Sequence, residues 1–238
     1  MIRALAASAA CALLLAGCDV LPEATKHPAK KPHAKATPTP APHLDPQGRL
    51  AAARAAVPAA SGNQAFDGDD RLIDTSFGPV LLRHGHVPDA GHAEAGTVAA
   101  YYLRELGGAF ALVKAYPEAA ASGSFGDFSR WSVSNDFSSL PVIVIEGGGT
   151  WQGCTVEQTD LIELRPNGPA VVASIPTVFE NGGAVEDGAE RFDGTIADVA
   201  RDRSFSVQYK GTASFAERYV RRGDRFQLDG GESRVPGC

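Results

Sequence analysis

The chain has little of what usually betrays a chemistry. It contains no His-Glu-x-x-His pair, no Gly-x-Ser-x-Gly elbow and no glycine-rich loop ending in Gly-Lys-Ser/Thr, so the usual carriers of zinc-protease, serine-hydrolase and P-loop activity are absent. No long apolar run is present either. Ala4 to Ala16, interrupted only by Ser8, gives 13 residues, which as a helix would reach about 20 Å and fall short of a bilayer core. Aromatic residues are missing from residues 1–65, and all 11 Phe, 5 Tyr and both Trp lie between Phe66 and Phe226. The first quarter of the chain is therefore not core material. Lysine is nearly absent after that point: Lys114 and Lys210 are the two among 15 basic residues, set against 25 acidic ones, a balance of −10 for residues 66–238. A nucleic-acid partner is excluded by that sign, because binding a phosphate backbone needs a positive footprint.

What is present is most explicit at the start. Arg3 supplies one positive charge, the small and aliphatic run follows, and the run closes on Leu15-Ala16-Gly17-Cys18. This order resembles the signal and lipobox of bacterial lipoproteins. The resemblance implies that residues 1–17 are removed, that Cys18 is lipidated, with palmitate among the acyl chains, and that the protein sits on the periplasmic side of the cell envelope, attached to a membrane without crossing it. Asp19 resembles the residue that retains such proteins at the inner membrane, and favours that membrane over the outer one. The alternative is an ordinary signal peptide cut nearby, with Cys18 left as a thiol. Cys11, inside the apolar run, reads as filler.

Residues 18–65 are rich in Pro, Ala, Lys, Thr and His and carry a balance of +3 from Asp19 to Ala65. Such a composition offers little apolar surface to offset ordering entropy, which predicts a mobile tether. Leu50 to Ala56 has helix propensity, but an isolated helix of that length is marginal in water. His27, His33 and His43 have no metal-ligand spacing and read as solvated linker residues.

Residues 66–238 read as a single domain of mainly β class, an antiparallel sandwich or open barrel with at most one or two short helices. Pro141 to Ile145 predicts a central strand, and Glu146 to Gly149 a turn or close-approach segment. Leu161–Leu164 and Ala170–Ile175 flank a turn at Arg165 to Pro169, the best hairpin in the chain. Ser204 to Tyr209 alternates strictly and places Phe205, Val207 and Tyr209 on one core face. Arg222-Gly223-Asp224 reads as a hairpin turn before Arg225–Leu228. Residues 93–117 admit two readings. Val98, Tyr101, Tyr102, Glu105 and Leu106 fit a helical stripe, whereas two strands around Gly107-Gly108 fit the alternation of Phe110 to Tyr116, and the strands are favoured.

Cys154 and Cys238 form an even pair in an oxidising compartment, and a bridge between them would tie down the C-terminal tail, stabilising by about 4 to 5 kcal/mol in the chain-entropy limit. A buried Cys154 acting as a small hydrophobe, with Cys238 free or paired between chains, is the alternative. Trp151 and Gln152 follow three glycines, an arrangement that exposes an aromatic and an amide beside accessible backbone, and with Trp131 they are the candidate ligand-binding residues. His84, His86 and His92 make the densest imidazole group. In an extended segment His84 and His86 point the same way, with His92 or Asp89 returning across the Pro88 turn as a third ligand, for zinc or another transition metal. Two functions follow. One is a non-enzymatic envelope lipoprotein whose domain binds an envelope protein or a small ligand, or serves a structural role, without a cofactor. The other is a membrane-tethered, metal-dependent hydrolase using the His84 region.

Overall fold

The computed structural model describes residues 44–238, so Cys18 and much of the expected tether lie outside the described residues. One helix and twelve strands follow in chain order. The helix α1 (Pro46–Ala55) precedes β1 (Ala65–Thr75), β2 (Gly78–His86), β3 (Gly96–Leu106) and β4 (Ala109–Ser122), which form a four-stranded sheet. The strands β5 (Arg130–Ser134), β6 (Val142–Trp151), β7 (Cys154–Arg165), β8 (Gly168–Glu180), β9 (Arg191–Ala200), β10 (Ser204–Gly211), β11 (Phe215–Arg222) and β12 (Arg225–Leu228) form a second sheet of eight. Within each sheet every strand is antiparallel to its neighbours in the sequence, and neither sheet closes into a barrel. The expected mainly β, antiparallel class is present, and among the described residues α1 keeps within the expected one or two short helices.

The helix corrects the expected tether boundary at residue 65. Asp45 caps it, its carboxylate accepting from the Gly48 N–H at 2.7 Å, and Pro46 occupies the first turn. Propensity alone would leave so short a helix marginal. Burial supplies the difference: Ala53 is fully buried, and Leu50 and Val57 pack with it against Leu81, Ala99, Tyr101 and Leu103 of the small sheet. Arg54 Nε reaches the fully buried Asp70 carboxylate at 2.6 Å, which also accepts from Arg83 Nε at 3.1 Å.

Residues 93–117 take the strand form, with Gly107 (φ 60°) and Gly108 (φ 86°) making the tight turn that only glycine enters freely. The helical reading arose because β3 is buried on both faces. Ala99, Tyr101 and Leu103 meet α1, while Val98, Ala100 and Tyr102 meet Ile143, Ile145, Ile162 and Leu164 of the large sheet. A strand covered on both sides loses the alternation that would identify it.

Of the two readings of Glu146–Gly149, the turn does not form and the close approach does: the segment is the middle of β6, paired with β7 as far as Trp151–Cys154. Glycine is required there by close approach. A Cβ on Gly147 would lie 2.6 Å from the Gly123 nitrogen, where the end of β4 crosses the large sheet. The β7–β8 hairpin turns at Pro166-Asn167, and β11 and β12 turn through Gly223 and Asp224, as expected. On β10, Phe205, Val207 and Tyr209 are each 1% exposed or less.

These three belong to a second core on the other face of the large sheet, with Val142, Leu161, Ile175, Phe179 and Tyr219. Strands β6 and β11, far apart in sheet order, thus share one core, so the sheet curls about its own concave face. A buried ionic node fastens the curl. Glu163 on β7 accepts from Ser138 in the β5–β6 loop at 2.5 Å and from Arg221 on β11 at 2.8 Å, and pairs with Arg165 at 2.7 Å. Arg165 in turn donates to the Asp224 carbonyl at 2.8 Å. The Cys154–Cys238 disulfide is formed, with its Cα atoms 5.9 Å apart. It seats the C-terminal tail, where Val235 is buried and Ser233 and the Arg234 N–H bond Glu217.

Burial by itself would push the Glu163 carboxyl up, but hydrogen bonds from Arg221, Ser138 and Arg165 outweigh it and hold the pKa at about 2, from 4.5. A carboxyl depressed on folding stabilises fully above its unfolded pKa and loses that stabilisation as pH falls through the folded one. Stability is therefore expected to fall between pH 4.5 and about 2, and Glu163→Gln should cost about 3 kcal/mol at neutral pH while removing its share of that slope. Urea unfolding of both forms across this range checks it. Cys238→Ser should lower stability by up to about 4 kcal/mol, with tail amides exchanging faster in hydrogen-exchange measurements.

Candidate functional site

The curl leaves the upper part of the concave face unfilled, as a groove of about 690 Å³. Strand β5, an edge strand of five residues, forms one wall. Its alternation sends Trp131 into the core between the sheets, while Ser132 and Ser134 line the groove. The floor is Val144 of β6, Thr159 of β7 and Thr177 of β8, and the far wall is Thr195, Ile196 and Val199 of β9. Thr159 and Thr177 are almost wholly buried, and Thr159 Oγ1 lies 3.4 Å from Thr177 Oγ1.

One end is shut by the β5–β6 loop. The Ser139 N–H donates to both carboxylate oxygens of Asp202 at 3.1 Å, the Asp202 N–H donates to the Phe137 carbonyl at 2.9 Å, and the Phe137 ring packs edge-on against Phe205. Arg221 lies 3.8 Å from Asp202, so the guanidinium that holds Glu163 also touches the group that holds the loop. At the rim, Arg130 Nε and Glu146 Oε2 are paired at 2.7 Å. Hydroxyls, the Asn135 amide and four aliphatic side chains dominate the lining; Arg130 and Glu146 balance at the rim, and Asp136, which accepts from Ser134 Oγ at 3.2 Å, adds one carboxylate. Such a surface disfavours an anionic ligand and is suited to an uncharged one that presents hydroxyl or amide donors along an apolar skeleton.

The candidate ligand residues are not gathered in this groove. The indole N–H of Trp131 donates to Asp69 at 2.8 Å, and the Arg71 guanidinium lies 4.1 Å from its ring centroid, so Trp131 is a pin between the sheets. Trp151 and Gln152 stand at the β6–β7 turn beside a smaller cavity of about 340 Å³, whose other walls include the disulfide, Asn181 and Val185. Trp151 lies across Gly149 and stacks on His92 at 5.3 Å, which stacks on Phe125 at 4.6 Å. Beyond Trp151, a hollow of about 240 Å³ holds Gln158 and Asp160. Burial pushes the Asp160 carboxyl up, partly offset by a bond from Ser174.

The three histidines do not converge. His84 Nε2 is 3.0 Å from Asp127 Oδ1 and packs on Phe128, whereas His92 belongs to the aromatic stack. Among the described residues no group of three or more His, Cys, Asp or Glu is placed to share a metal ion, which corrects the expected His84, His86 and His92 site. The physical reason lies in the Pro88 segment. Its backbone is committed to the β4–β5 loop, through Val87 N to Gly126 O, Phe125 N to His92 O and Gly126 N to Glu94 O, and this carries His92 toward Trp151.

Sequence reasoning missed the groove residues. Ser132 and Thr177 alternate with apolar neighbours as any solvent-facing strand residues would, Ser134 and Thr159 stand beside other polar residues, and only the curl makes the four concave.

Compared with protein-family models, curated proteins and solved structures, the chain matches none.

Proposed function

We propose that this chain is a lipid-anchored protein of the bacterial cell envelope whose β domain is a non-enzymatic binding module, taking an uncharged ligand into the groove of the large sheet. The observation that carries the binding reading is the groove itself: about 690 Å³, bounded by β5 and β9, closed at one end by the Asp202-held loop and lined mainly by hydroxyl and aliphatic side chains. The Leu15-Ala16-Gly17-Cys18 resemblance supports the anchor, and Asp19 favours the inner membrane. The domain balance of −10 supports a partner other than nucleic acid. A metal-dependent hydrolase is not carried further, because His84 and His92 face different partners.

Two experiments test the two halves. Growth with an alkyne-tagged palmitate should label the wild-type chain and leave Cys18→Ser unlabelled; label retained by the variant contradicts the anchor. A thermal-shift screen of neutral oligosaccharides and uncharged peptides should find a stabilising ligand, and Ser132→Trp, which narrows the groove from its exposed edge, should weaken that ligand at least about tenfold while leaving the melting temperature of the free protein unchanged. Binding unaffected by Ser132→Trp contradicts the groove.

A further inference from the structure

The end of the domain that carries Trp151 has a character of its own. Four connections meet there: residues 87–95 between β2 and β3, residues 123–129 between β4 and β5, the β6–β7 turn, and residues 181–190 between β8 and β9. The first two are joined by the three backbone bonds around Gly126, the third joins through the His92–Trp151 stack, and the fourth through the Gly183 N–H to the Gly153 carbonyl at 3.1 Å. On this platform Phe125 is 63% exposed, Trp151 42% and Val185 38%. Phe125 (φ 53°) and Gln152 (φ 51°) take the left-handed backbone that non-glycine residues rarely adopt, and the stack on His92 holds the Phe125 ring in place. The 340 Å³ cavity opens between Trp151, Gln152 and Val185.

Charge selects the occupant. The four connections contain Asp89, Glu94, Asp127, Glu186, Asp187 and Glu190, and no Lys or Arg. An anionic lipid surface is repelled by that set, and a second copy of the same face would set acid against acid. The described chain begins at the opposite end, where Arg49, one turn into α1, pairs with Asp74 beside the β1–β2 turn and with Glu105 beside the β3–β4 turn.

We propose that this aromatic end docks a basic protein segment, seating an Arg or Lys side chain in the 340 Å³ cavity beside Trp151 with the acidic loops around it. The cation gains from the surrounding carboxylates, and the aliphatic stem of the same side chain covers the exposed edge of Trp151 and Val185. This site is separate from the groove and does not rest on the function proposed for it.

The test titrates the full chain, in detergent, with a tetra-arginine peptide while following the two indole N–H resonances. The Trp151 resonance should shift and that of Trp131, bonded to Asp69, should stay in place. Calorimetry should give a Kd raised at least about tenfold by Trp151→Ala, raised severalfold by Glu186→Gln with Asp187→Asn, and raised again at higher salt. An unchanged Trp131 resonance in each variant certifies the fold. A Trp151 resonance that ignores the peptide overturns the proposal. So does an equal response to tetraglutamate or to a neutral tetrasaccharide, or a response to phosphatidylglycerol vesicles without one to the peptide.

Discussion

The large sheet depends on one buried carboxylate. Glu163, with 3% of its side chain exposed, faces the concave side of β7 and is met there by Ser138, Arg165 and Arg221, from the β5–β6 loop, β7 itself and β11. Strands β8, β9 and β10 lie between β7 and β11 in the sheet, so a bond from Glu163 to Arg221 can form only if the sheet bends until its faces approach. The apolar core of Phe205, Tyr219 and Phe226 provides the driving force for that bend. An ion pair of this kind adds geometry more than net energy, since desolvation takes back much of its Coulombic gain.

Groove and node are therefore one construction. Arg221 touches Asp202, Asp202 holds Ser139 and Phe137, and Phe137 stoppers the lower end of the concave face against Phe205. Above the stopper the side chains shrink from rings to hydroxyls, and the volume that the aromatic residues would have filled is left to a ligand. The small sheet acts as backing. Its inner face supports β5 to β7 through Val98, Ala100 and Tyr102, and its outer face is sealed by α1. The aromatic end, built from the opposite set of turns, stays outside this coupling and offers a second surface of different chemistry.

How much of this was legible in the residues depended on whether an element had a dry face and a wet one. Strand β10 alternates, and its buried set was read directly. The Gly107-Gly108, Pro166-Asn167 and Gly223-Asp224 turns were read from turn chemistry. Strand β3 was ambiguous because both of its faces are covered, and α1 was assigned to the tether because its stability comes from contacts with Leu81 and Tyr101, far away in sequence. The candidate sites fared less well for the same reason. Cys154 and Cys238 could be paired by counting, but the groove hydroxyls become a site only when the sheet bends. The histidines near residue 84 looked convergent in sequence, yet the hydrogen bonds of the Val87 and Gly126 loops set their directions apart. Spacing reports proximity along the chain; only packing reports direction.

Glu163 thus holds the curl and thereby the groove. Hydrogen exchange by mass spectrometry on the wild type and Glu163→Gln, at neutral pH in conditions where both remain folded, tests it most directly. In the variant, exchange at least about tenfold faster is expected in residues 135–140, the β9–β10 turn and β11, with β1 to β4 unchanged. Exchange that is unaltered in those segments, or raised equally across both sheets, would contradict it.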